Sequence, residues 1–485
     1  MIAIKNKTSF FYYAFALMGS IFFFVINKDN FFYWDNISQI SIPANWIYEN
    51  SFSKFWVPDE YTTGHLPILP YYIAGWWKLF NRTLLISHLA LLPFIFGFLY
   101  QIQKLTAQLF PYKPIYQYAA IFIVLLDATL LAQFTLITPD IILSFLFVWA
   151  LNALIANKKI SFTIAIALLG LINMRGLVTL SGLSLFYLWF FFIMERKKPD
   201  IKTLSPLIIP FIIISVVYGW HYLEKGWLFH NAFGGRWENA SKWAEYPHLI
   251  KNIAAFAFQQ IDYGRIFLWS VNLFFIITII KNKRKLNRNM TILYGLLLSQ
   301  LVVWFAVTIP FQNFFGHRYF LPVFILLGLL TAYIITNYLN YKHTVFSVCF
   351  LFLISGYFWV YPRKIAQGWD ATPAHWSYYK TRLAMIDYIN KMQYHKNEIS
   401  SFFPNLADTK NIDLITDKSF RFKEFNPDSD TLVLYSNTYN VEDSVIDALF
   451  FSGQWIEEYK IKNMQVEVIL LRKKETSTLP TGSHF

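Results

Sequence analysis

The chain has 485 residues, of which 56% are hydrophobic, 20% aromatic and only 15% charged, and its formal net charge is +13. This composition is too apolar for a soluble domain of this size and predicts an α-helical polytopic membrane protein. The basic residues lie between apolar runs, which argues against a nucleic-acid-binding protein. The single cysteine, Cys349, excludes an intrachain disulfide and a cysteine metal site.

The first apolar run, residues 10–26, resembles a signal peptide because Lys5 and Lys7 precede it. Polar residues from Asn27 onward follow it in place of a small-residue cleavage site, so we expect an uncleaved first span. Later apolar runs bring the expected total to about eleven spans. The other predicted spans cover residues 84–103, 115–134, 141–156, 160–172, 177–194, 204–222, 265–280, 290–309, 319–338 and 345–361.

Three basic clusters set the expected orientation of these spans. If the N-terminus is cytoplasmic and the spans alternate, residues 158–159, 196–198 and 281–285 all fall on the cytoplasmic side, as the positive-inside rule requires. The sequence therefore predicts a multi-pass protein of a bacterial inner (cytoplasmic) membrane, with its N-terminus in the cytoplasm.

The transmembrane domain is expected to cover residues 1–362. Its longest periplasmic loops are predicted at residues 27–83 and 224–263. The rare ionisable residues at span ends then gather on this outer face. No internal repeat at a fixed period is visible, which counts mildly against a transporter built from two similar halves.

The composition changes after about residue 363 and predicts a small periplasmic α/β domain over residues 363–475. The strand-like runs are 430–437 and 465–472, and the helical patterns are 378–393 and 442–451. The last residues, 476–485, are expected to form a disordered tail.

The first outer loop contains the most informative acid of the chain. Asp35 follows the first span in the aromatic segment FFYWDN, and an acid held at a bilayer surface predicts a function. Residues 37–48 carry apolar side chains at helical spacing and are expected to lie on the membrane surface. The motif Gly64-His65-Leu66-Pro67 follows and opens a short aromatic helix.

Other ionisable residues occupy short outer turns. Asp140 and Arg175 each lie in a turn of a few polar residues, and His317 with Arg318 begins a late span. The simplest alternative is that such charges solvate span ends, or that the arginines extend toward lipid headgroups. Asp127, inside the third predicted span, either faces a cavity or bonds a neighbouring helix, and the sequence leaves both readings open.

In order and spacing, these stretches resemble polytopic glycosyltransferases of the GT-C class, those related to the protein O-mannosyltransferases and the lipid A aminoarabinose transferase. In that family an acid heads the first outer loop, a surface helix follows, and a G-x-P-P-like segment opens the next helix. Asp140 matches an acid that starts the fourth span, and Arg318 with Tyr319 matches an R-Y-x-x-P stretch. The likeness covers about the first 330 residues. Asn36 departs from the family, which often has a second acid there.

The resemblance implies transfer of a monosaccharide from a polyprenyl-phosphate-linked donor to a hydroxyl of a lipid, glycan or protein acceptor. A carboxylate can take the proton of the hydroxyl, and guanidinium groups can bind the leaving phosphate. The expected catalytic residues are Asp35 (the general base) and Asp140, the phosphate-binding residues Arg175, Arg318 and His317, and the substrate-binding residues His65, Glu60, Trp34 and Asn36. No cofactor is expected; a divalent metal is compatible with the class, but no ligand spacing supports one.

Several of these residues have structural alternatives. His65 would also serve to cap the helix after Gly64, Glu60 would be solvated in a flexible stretch, and Trp34 would belong to an aromatic belt at the interface. Two other functions also stay open. A transporter or flippase of a lipid-linked substrate would carry charges near mid-span and paired broken helices. A non-catalytic membrane scaffold would not need acids and arginines in turns on one face.

Overall fold

The computed structural model describes residues 2–229, 242–312, 315–417 and 419–474. Its chain contacts divide it into two compact units. The first comprises Met1–Trp359 with Asp370–Pro373, and the second comprises Val360–Trp369 with Ala374–Phe485. The predicted tail at 476–485 and part of the predicted loop 224–263 lie outside the described residues.

The first unit is built from α-helices. Their bounds are α1 (Ile2–Asn27), α2 (Ile42–Glu49), α3 (Ile68–Phe80), α4 (Leu84–Leu89), α5 (Leu92–Leu109), α6 (Pro114–Leu125), α7 (Ala128–Gln133), α8 (Pro139–Ile155), α9 (Lys159–Ile172), α10 (Met174–Leu188), α11 (Ile201–Lys225), α12 (Tyr246–Ile261), α13 (Ile266–Lys281), α14 (Arg288–Thr308), α15 (Leu321–Tyr338) and α16 (Lys342–Ser355). A π-helical turn, Ile37–Ser41, leads into α2, and another, Trp189–Met194, extends α10.

The helices of this unit are those of a membrane protein. Within the described ranges, six helical segments are long and apolar enough to cross a bilayer, and the pair α12 and α13, bent by 92°, would make a seventh. The shorter apolar helices α6, α8, α9 and α16 account for the rest of the predicted spans. Large apolar side chains such as Phe22 and Phe211 are exposed, as lipid contact requires. The predicted polytopic α-helical class is confirmed, whereas the count of eleven crossings stays a prediction.

The centre of the unit is α15. Nearly every residue from Leu321 to Thr336 is buried, because α6, α8, α13, α14 and α16 all pack against this helix. A helix enclosed on every side needs no polar face, and α15 contains no charged residue. The helices packed around α15 fix its position. They therefore also fix the 3₁₀ turn His317–Phe320, which leads into α15.

Two predicted segments differ from the sequence expectation. The third predicted span, 115–134, is broken into α6 and α7 at Asp127, whose carboxylate accepts hydrogen bonds from the backbone N–H groups of Thr129 and Leu130 and so caps α7. The predicted loop 224–263 contains the helix α12, whose polar residues Asn252 and Gln259 are buried. A helix whose buried face carries polar residues lacks a clear apolar stripe in its sequence, so it is easily mistaken for a loop.

Asp127 is also half of a buried ion pair. Arg265, at the start of α13, donates to both of its carboxylate oxygens, from Nε at 2.6 Å and from Nη2 at 3.2 Å. The guanidinium carbon lies 3.6 Å from the centre of the Phe324 ring on α15. Arg265 Nη1 also donates to the backbone oxygens of Gln259 and Asp262, which ties the bend between α12 and α13 to α7. Of the two interpretations left open for Asp127, the structure supports a contact with a neighbouring helix.

The second unit is a small mixed α/β fold. Its elements are α17 (Trp376–Lys391), β1 (Ser400–Ser401), α18 (Thr409–Ile412), β2 (Lys423–Glu424), β3 (Leu432–Ser436), α19 (Asp443–Phe450), β4 (Trp455–Asn463) and β5 (Val466–Lys473). The strand order is β2-β1-β3-β5-β4, with β1 parallel to both β2 and β3 and with β5 antiparallel to both β3 and β4. Both predicted strands and both predicted helices are present.

The Asp127–Arg265 pair generates a prediction about stability. Replacing Arg265 by Met leaves a buried carboxylate without its cation, which should lower the free energy of unfolding by about 3–5 kcal/mol. Thermal unfolding in detergent measures the effect. The matched control is Arg288→Met, because the pair between Arg288 and Glu195 is largely exposed and should contribute no more than about 1 kcal/mol. Equal melting temperatures for the two variants would contradict this account.

Candidate active site

Five segments that are separate in sequence bring five charged side chains together in the first unit. The segment after α1 provides Asp35, the start of α8 provides Asp140, the start of α10 provides Arg175, the turn before α15 provides Arg318, and a short turn after α16 provides Asp370. Three of these positions are at helix N-termini, where the helix dipole is positive. We refer to these five residues as the charged cluster.

Asp35 is positioned by a sharp turn of the backbone. The preceding Trp34 has φ +51°, in the left-handed region that bulky residues rarely adopt, and the N–H of Ile37 donates to the oxygen of Trp34 at 3.0 Å. The rings of Phe32 and Tyr33 are buried and anchor the chain before the turn. The Asp35 side chain retains 30% of its exposure, the largest value of the three carboxylates, so it is the most accessible acid of the cluster.

Asp140 is fixed by the sequence Thr-Pro-Asp at the start of α8. The Thr138 hydroxyl accepts from the backbone N–H of Asp140 at 3.2 Å and donates to its carboxylate. Pro139 fits the first helical position, where no N–H bond is needed. The carboxylate is fully buried, and a negative charge in the first turn of a helix is favoured by the dipole.

Arg175 is positioned by a tight turn between α9 and α10. The side chain of Asn173 caps α10 by accepting from the N–H of Gly176 at 2.8 Å. A Cβ on Gly176 would lie 1.9 Å from the backbone oxygen of Leu169, so the turn requires glycine. Arg175 Nε then lies 3.0 Å from Asp140 Oδ1, and the guanidinium lies over the Tyr319 ring at 5.2 Å.

Arg318 is the centre of the charged cluster. Its Nη2 is paired with Asp35 Oδ2, and its Nη1 lies 2.8 Å from Asp370 Oδ2 and 4.0 Å from Asp140 Oδ2. The Arg318 side chain is only 6% exposed. A guanidinium so buried is stable only with negative charges next to it.

Asp370 was missed by the sequence analysis. It lies in the stretch assigned to the C-terminal domain, yet residues 370–373 belong to the first compact unit. Its backbone oxygen accepts a hydrogen bond from Gln133 Nε2 on α7 at 2.7 Å. A signal was present, because Asp370 follows Trp369 as Asp35 follows Trp34, and these are the two Trp-Asp pairs of the sequence.

Burial and charge act in opposite directions on Asp370. Burial raises the pKa of the Asp370 carboxyl to about 6, the Arg318 guanidinium opposes this rise, and the carboxylates of Asp35 and Asp140 add to it. Three carboxylates and two guanidinium groups would carry a net charge of −1 if all were ionised. Asp370 is therefore close to gaining a proton at neutral pH.

A small cavity of about 10 Å³, enough for about one water molecule, lies beside the cluster. Neutral polar groups of Gln39, His65 and Asn173 line it, together with apolar side chains. In the part of the chain that the structure describes, Gln39 Oε1, His65 Nδ1, Asn173 Nδ2 and both amide atoms of Asn36 are buried without a hydrogen-bond partner. Such atoms are costly to bury unless a ligand or water pairs with them.

His65 follows Gly64, whose φ of +88° suits glycine. Burial, with additional repulsion from Arg175 and Arg318, lowers the pKa of His65 to about 3. The imidazole is consequently neutral at physiological pH, with one nitrogen that donates and one that accepts. It is suited to bind hydroxyl groups rather than to neutralise a phosphate.

Two of the predicted site residues, His317 and Glu60, have their side chains in other surroundings. His317 Nε2 is 2.7 Å from Asp262 Oδ2, and the His317 ring packs on Tyr263, so this histidine belongs with the bend between α12 and α13. Glu60 is exposed in the 3₁₀ turn Asp59–Tyr61. The His317 side chain thus belongs to a network separate from the charged cluster, although the residue directly precedes Arg318 in the chain.

Metal binding has no structural support in the described ranges. No group of three or more His, Cys, Asp or Glu side chains among those residues is arranged to hold a metal ion. The carboxylates of the cluster face guanidinium groups instead, which would compete with a cation for them.

Comparisons with known proteins give one informative result. No protein-family model matches the chain, and neither does any curated protein. The solved structure of ArnT from Cupriavidus metallidurans, bound to undecaprenyl phosphate, matches 96% of this chain and 98% of its own, with a TM-score of 0.53 and 10% sequence identity. The chain has the ArnT fold. The resemblance to GT-C proteins that the sequence motifs predicted is thereby confirmed as a likeness of fold, and the ArnT fold accounts for both the helical unit and the small sheet domain.

The charged cluster predicts a pH-dependent loss of stability in Arg318→Met. Three carboxylates would then face only Arg175, so the unfolding free energy should fall by about 3–5 kcal/mol at pH 8. The folded variant would bind more protons than the unfolded chain, and its stability should therefore recover as the pH falls toward 5. Thermal unfolding across this range measures the difference from wild type, with Arg288→Met as the exposed control. A deficit independent of pH would contradict the proposed pairing.

Proposed function

We propose that this protein is a membrane glycosyltransferase that transfers a monosaccharide from a polyprenyl-phosphate donor to a hydroxyl of a lipid, glycan or protein acceptor. The observation that carries the proposal is the charged cluster itself. A partly exposed carboxylate, Asp35, is paired with a buried guanidinium, Arg318, while Arg175 lies on the other side of Asp140. A base and two phosphate-binding groups in one place are what glycosyl transfer from a lipid phosphate requires. The ArnT fold adds support.

The proposed reaction places charge where the cluster can stabilise it. The acceptor hydroxyl attacks the anomeric carbon, the bond from that carbon to the phosphate oxygen breaks, and the hydroxyl proton passes to Asp35. The donor is a phosphodiester with one negative charge, and the departing polyprenyl phosphate is a monoester that gains a second. Arg318 and Arg175 would bind this developing charge, because guanidinium forks match phosphate oxygens. Asp140 would hold Arg175 in position.

The neutral groups beside the cluster would bind the sugar or the acceptor hydroxyl. Asn36, Gln39, His65 and Asn173 offer donors and acceptors without a net charge, which suits hydroxyl groups. Trp34 directly precedes Asp35, the proposed base, and its ring offers an apolar face for a sugar. In this assignment, Asn36 acts through hydrogen bonds and not as a metal ligand.

The proposed location of the chemistry is the periplasmic side of a bacterial inner membrane. The cluster lies at the N-terminal ends of α8 and α10. The basic residues 158–159 and 196–198 lie close to the opposite ends of these helices, where the positive-inside rule favours a cytoplasmic position. This orientation puts the N-terminus in the cytoplasm and the small α/β domain in the periplasm.

Replacing Asp35 by Asn tests the proposed base. The amide cannot take a proton, so the transfer rate should fall by about 100-fold or more. The assay follows release of polyprenyl phosphate by the detergent-solubilised protein, with lipid from a deletion strain as the source of donor. The Asp35→Asn protein should remain folded, because Asp370 still neutralises Arg318.

The matched control for this experiment is Glu49→Gln, since Glu49 forms an exposed ion pair with Arg82 outside the cluster. Full activity of the Asp35→Asn protein would remove the base assignment. The assay in detergent also distinguishes a transferase from a flippase. A flippase moves a lipid between the two faces of a membrane, which a detergent micelle lacks, and it forms no new covalent product. Absence of released polyprenyl phosphate with wild-type protein would favour a transporter or a scaffold.

Replacing Arg175 by Lys tests the phosphate-binding role. Lysine keeps the charge near Asp140 but lacks the guanidinium fork, so the melting temperature should change little while the donor KM rises about tenfold, equivalent to about 1.4 kcal/mol. The control is Arg82→Lys, a guanidinium that is paired with Glu49. An unchanged donor KM in the Arg175 variant would argue for a purely structural arginine.

A further inference from the structure

Asp370 has no role in the proposed reaction, although it touches the central guanidinium. Its carboxylate lies 2.8 Å from Arg318 Nη1 and is only 11% exposed. The hydrogen bond from Gln133 holds the Asp370 backbone and does not depend on the charge of the side chain. The position of this carboxylate is thus set by the fold, while its charge is free to change.

The charge balance of the cluster requires such a change when the donor binds. With all five groups ionised the cluster carries −1, and a phosphodiester adds another negative charge, which would give −2. Uncompensated charge in a buried site is costly, so a proton must enter or a carboxylate must leave. Both Nη atoms of Arg318 already face carboxylates, so a bound phosphate would compete with them.

Resting on the proposed function, we propose that Asp370 is a positioning residue that takes up a proton from solvent as the donor phosphodiester binds, so that Arg318 Nη1 passes from Asp370 to the phosphate. The protonated carboxyl can then donate a hydrogen bond to a phosphate oxygen, which an ionised carboxylate cannot do. Asp35 keeps its charge and remains available to take the proton of the acceptor.

The surroundings favour Asp370 over the other two carboxylates for this role. Asp140 is paired with Arg175 and lies in the first turn of α8, where the dipole favours negative charge. Asp35 is more exposed and can be solvated as it leaves Arg318. The groups that act on Asp370 from the surrounding elements are Arg318, Asp35, Asp140 and Arg175, and its carboxyl has a pKa raised to about 6 by burial. Gln133 on α7 is uncharged.

The consequence is donor binding that weakens as the pH rises. Proton uptake on binding makes the affinity fall by up to about tenfold per pH unit above the pKa of free Asp370. Guanidinium groups keep their charge in proteins, and His65, with its pKa lowered to about 3, stays neutral throughout this range. If the ligand itself does not titrate, the pH dependence of its affinity should therefore report the protonation of Asp370.

The test uses the full-length protein in detergent and a polyprenyl methyl phosphate diester, which keeps one charge between pH 5 and 8. Wild-type affinity should fall by about tenfold or more from pH 6 to pH 8, and calorimetry in buffers of different ionisation heat should show uptake of about one proton per diester near pH 7. The Asp370→Asn variant should bind at pH 8 about as tightly as wild type at low pH, with a flat profile. Glu49→Gln should behave as wild type.

The outcomes separate this inference from the proposed function. A wild-type profile that is flat, with no proton uptake, would overturn the role of Asp370 and leave the donor site intact. The same pH dependence in the Asp370→Asn protein would do likewise. No binding of the diester by wild type at any pH would overturn the proposed donor site and this inference with it. The calorimetric arm needs only wild-type protein, so a misfolded variant does not remove the test.

Discussion

Burying the Arg318 guanidinium is the constraint on which the candidate site depends. A cation in an apolar helical interior is stable only beside negative charge, and Asp35, Asp140 and Asp370 supply it from three separate segments. The central helix α15 fixes the arginine, and each carboxylate is fixed in turn by a local device: a left-handed turn, a helix start or a hydrogen bond from α7. The cluster is therefore assembled by the fold as a whole.

Adjacent residues in the turn before α15 belong to two different networks. Arg318 enters the charged cluster, whereas His317 pairs with Asp262 near the bend that Arg265 holds against Asp127. The Asp127–Arg265 pair has few exposed atoms and good hydrogen-bond geometry, which suits a structural role. The charged cluster has an excess of carboxylate, a partly exposed acid and unpaired polar atoms beside it, which suits binding and chemistry.

Much of this organisation could be predicted from the sequence, for physical reasons. Long apolar runs indicate helices in a membrane, and the acid at Asp35 and the arginine at Arg318 are conspicuous because charges are rare at span ends. Asp140 and Arg175 follow from their short polar turns. The pairing of Arg318 with Asp370 could not be predicted, because nothing local shows that residues 370–373 fold back into the helical unit. The pairing of His317 with Asp262 could not be predicted either, since 55 residues separate the two.

The neutral and the charged groups have different roles in the proposed reaction. The cluster would hold the phosphate and move the proton, and Asn36, Gln39, His65 and Asn173 would bind hydroxyls beside it. This division distinguishes a transferase from a flippase, which needs a path across the membrane and no base. The small second unit has its own core and takes no part in the proposed chemistry.

The most direct test of the central claim is an experimental structure of the protein with undecaprenyl phosphate bound. The account predicts density for the phosphate within hydrogen-bond distance of Arg318 or Arg175, with Asp35 no longer paired to Arg318. A phosphate bound only at the basic segments on the other side of the helical unit, with the charged cluster unchanged, would contradict it.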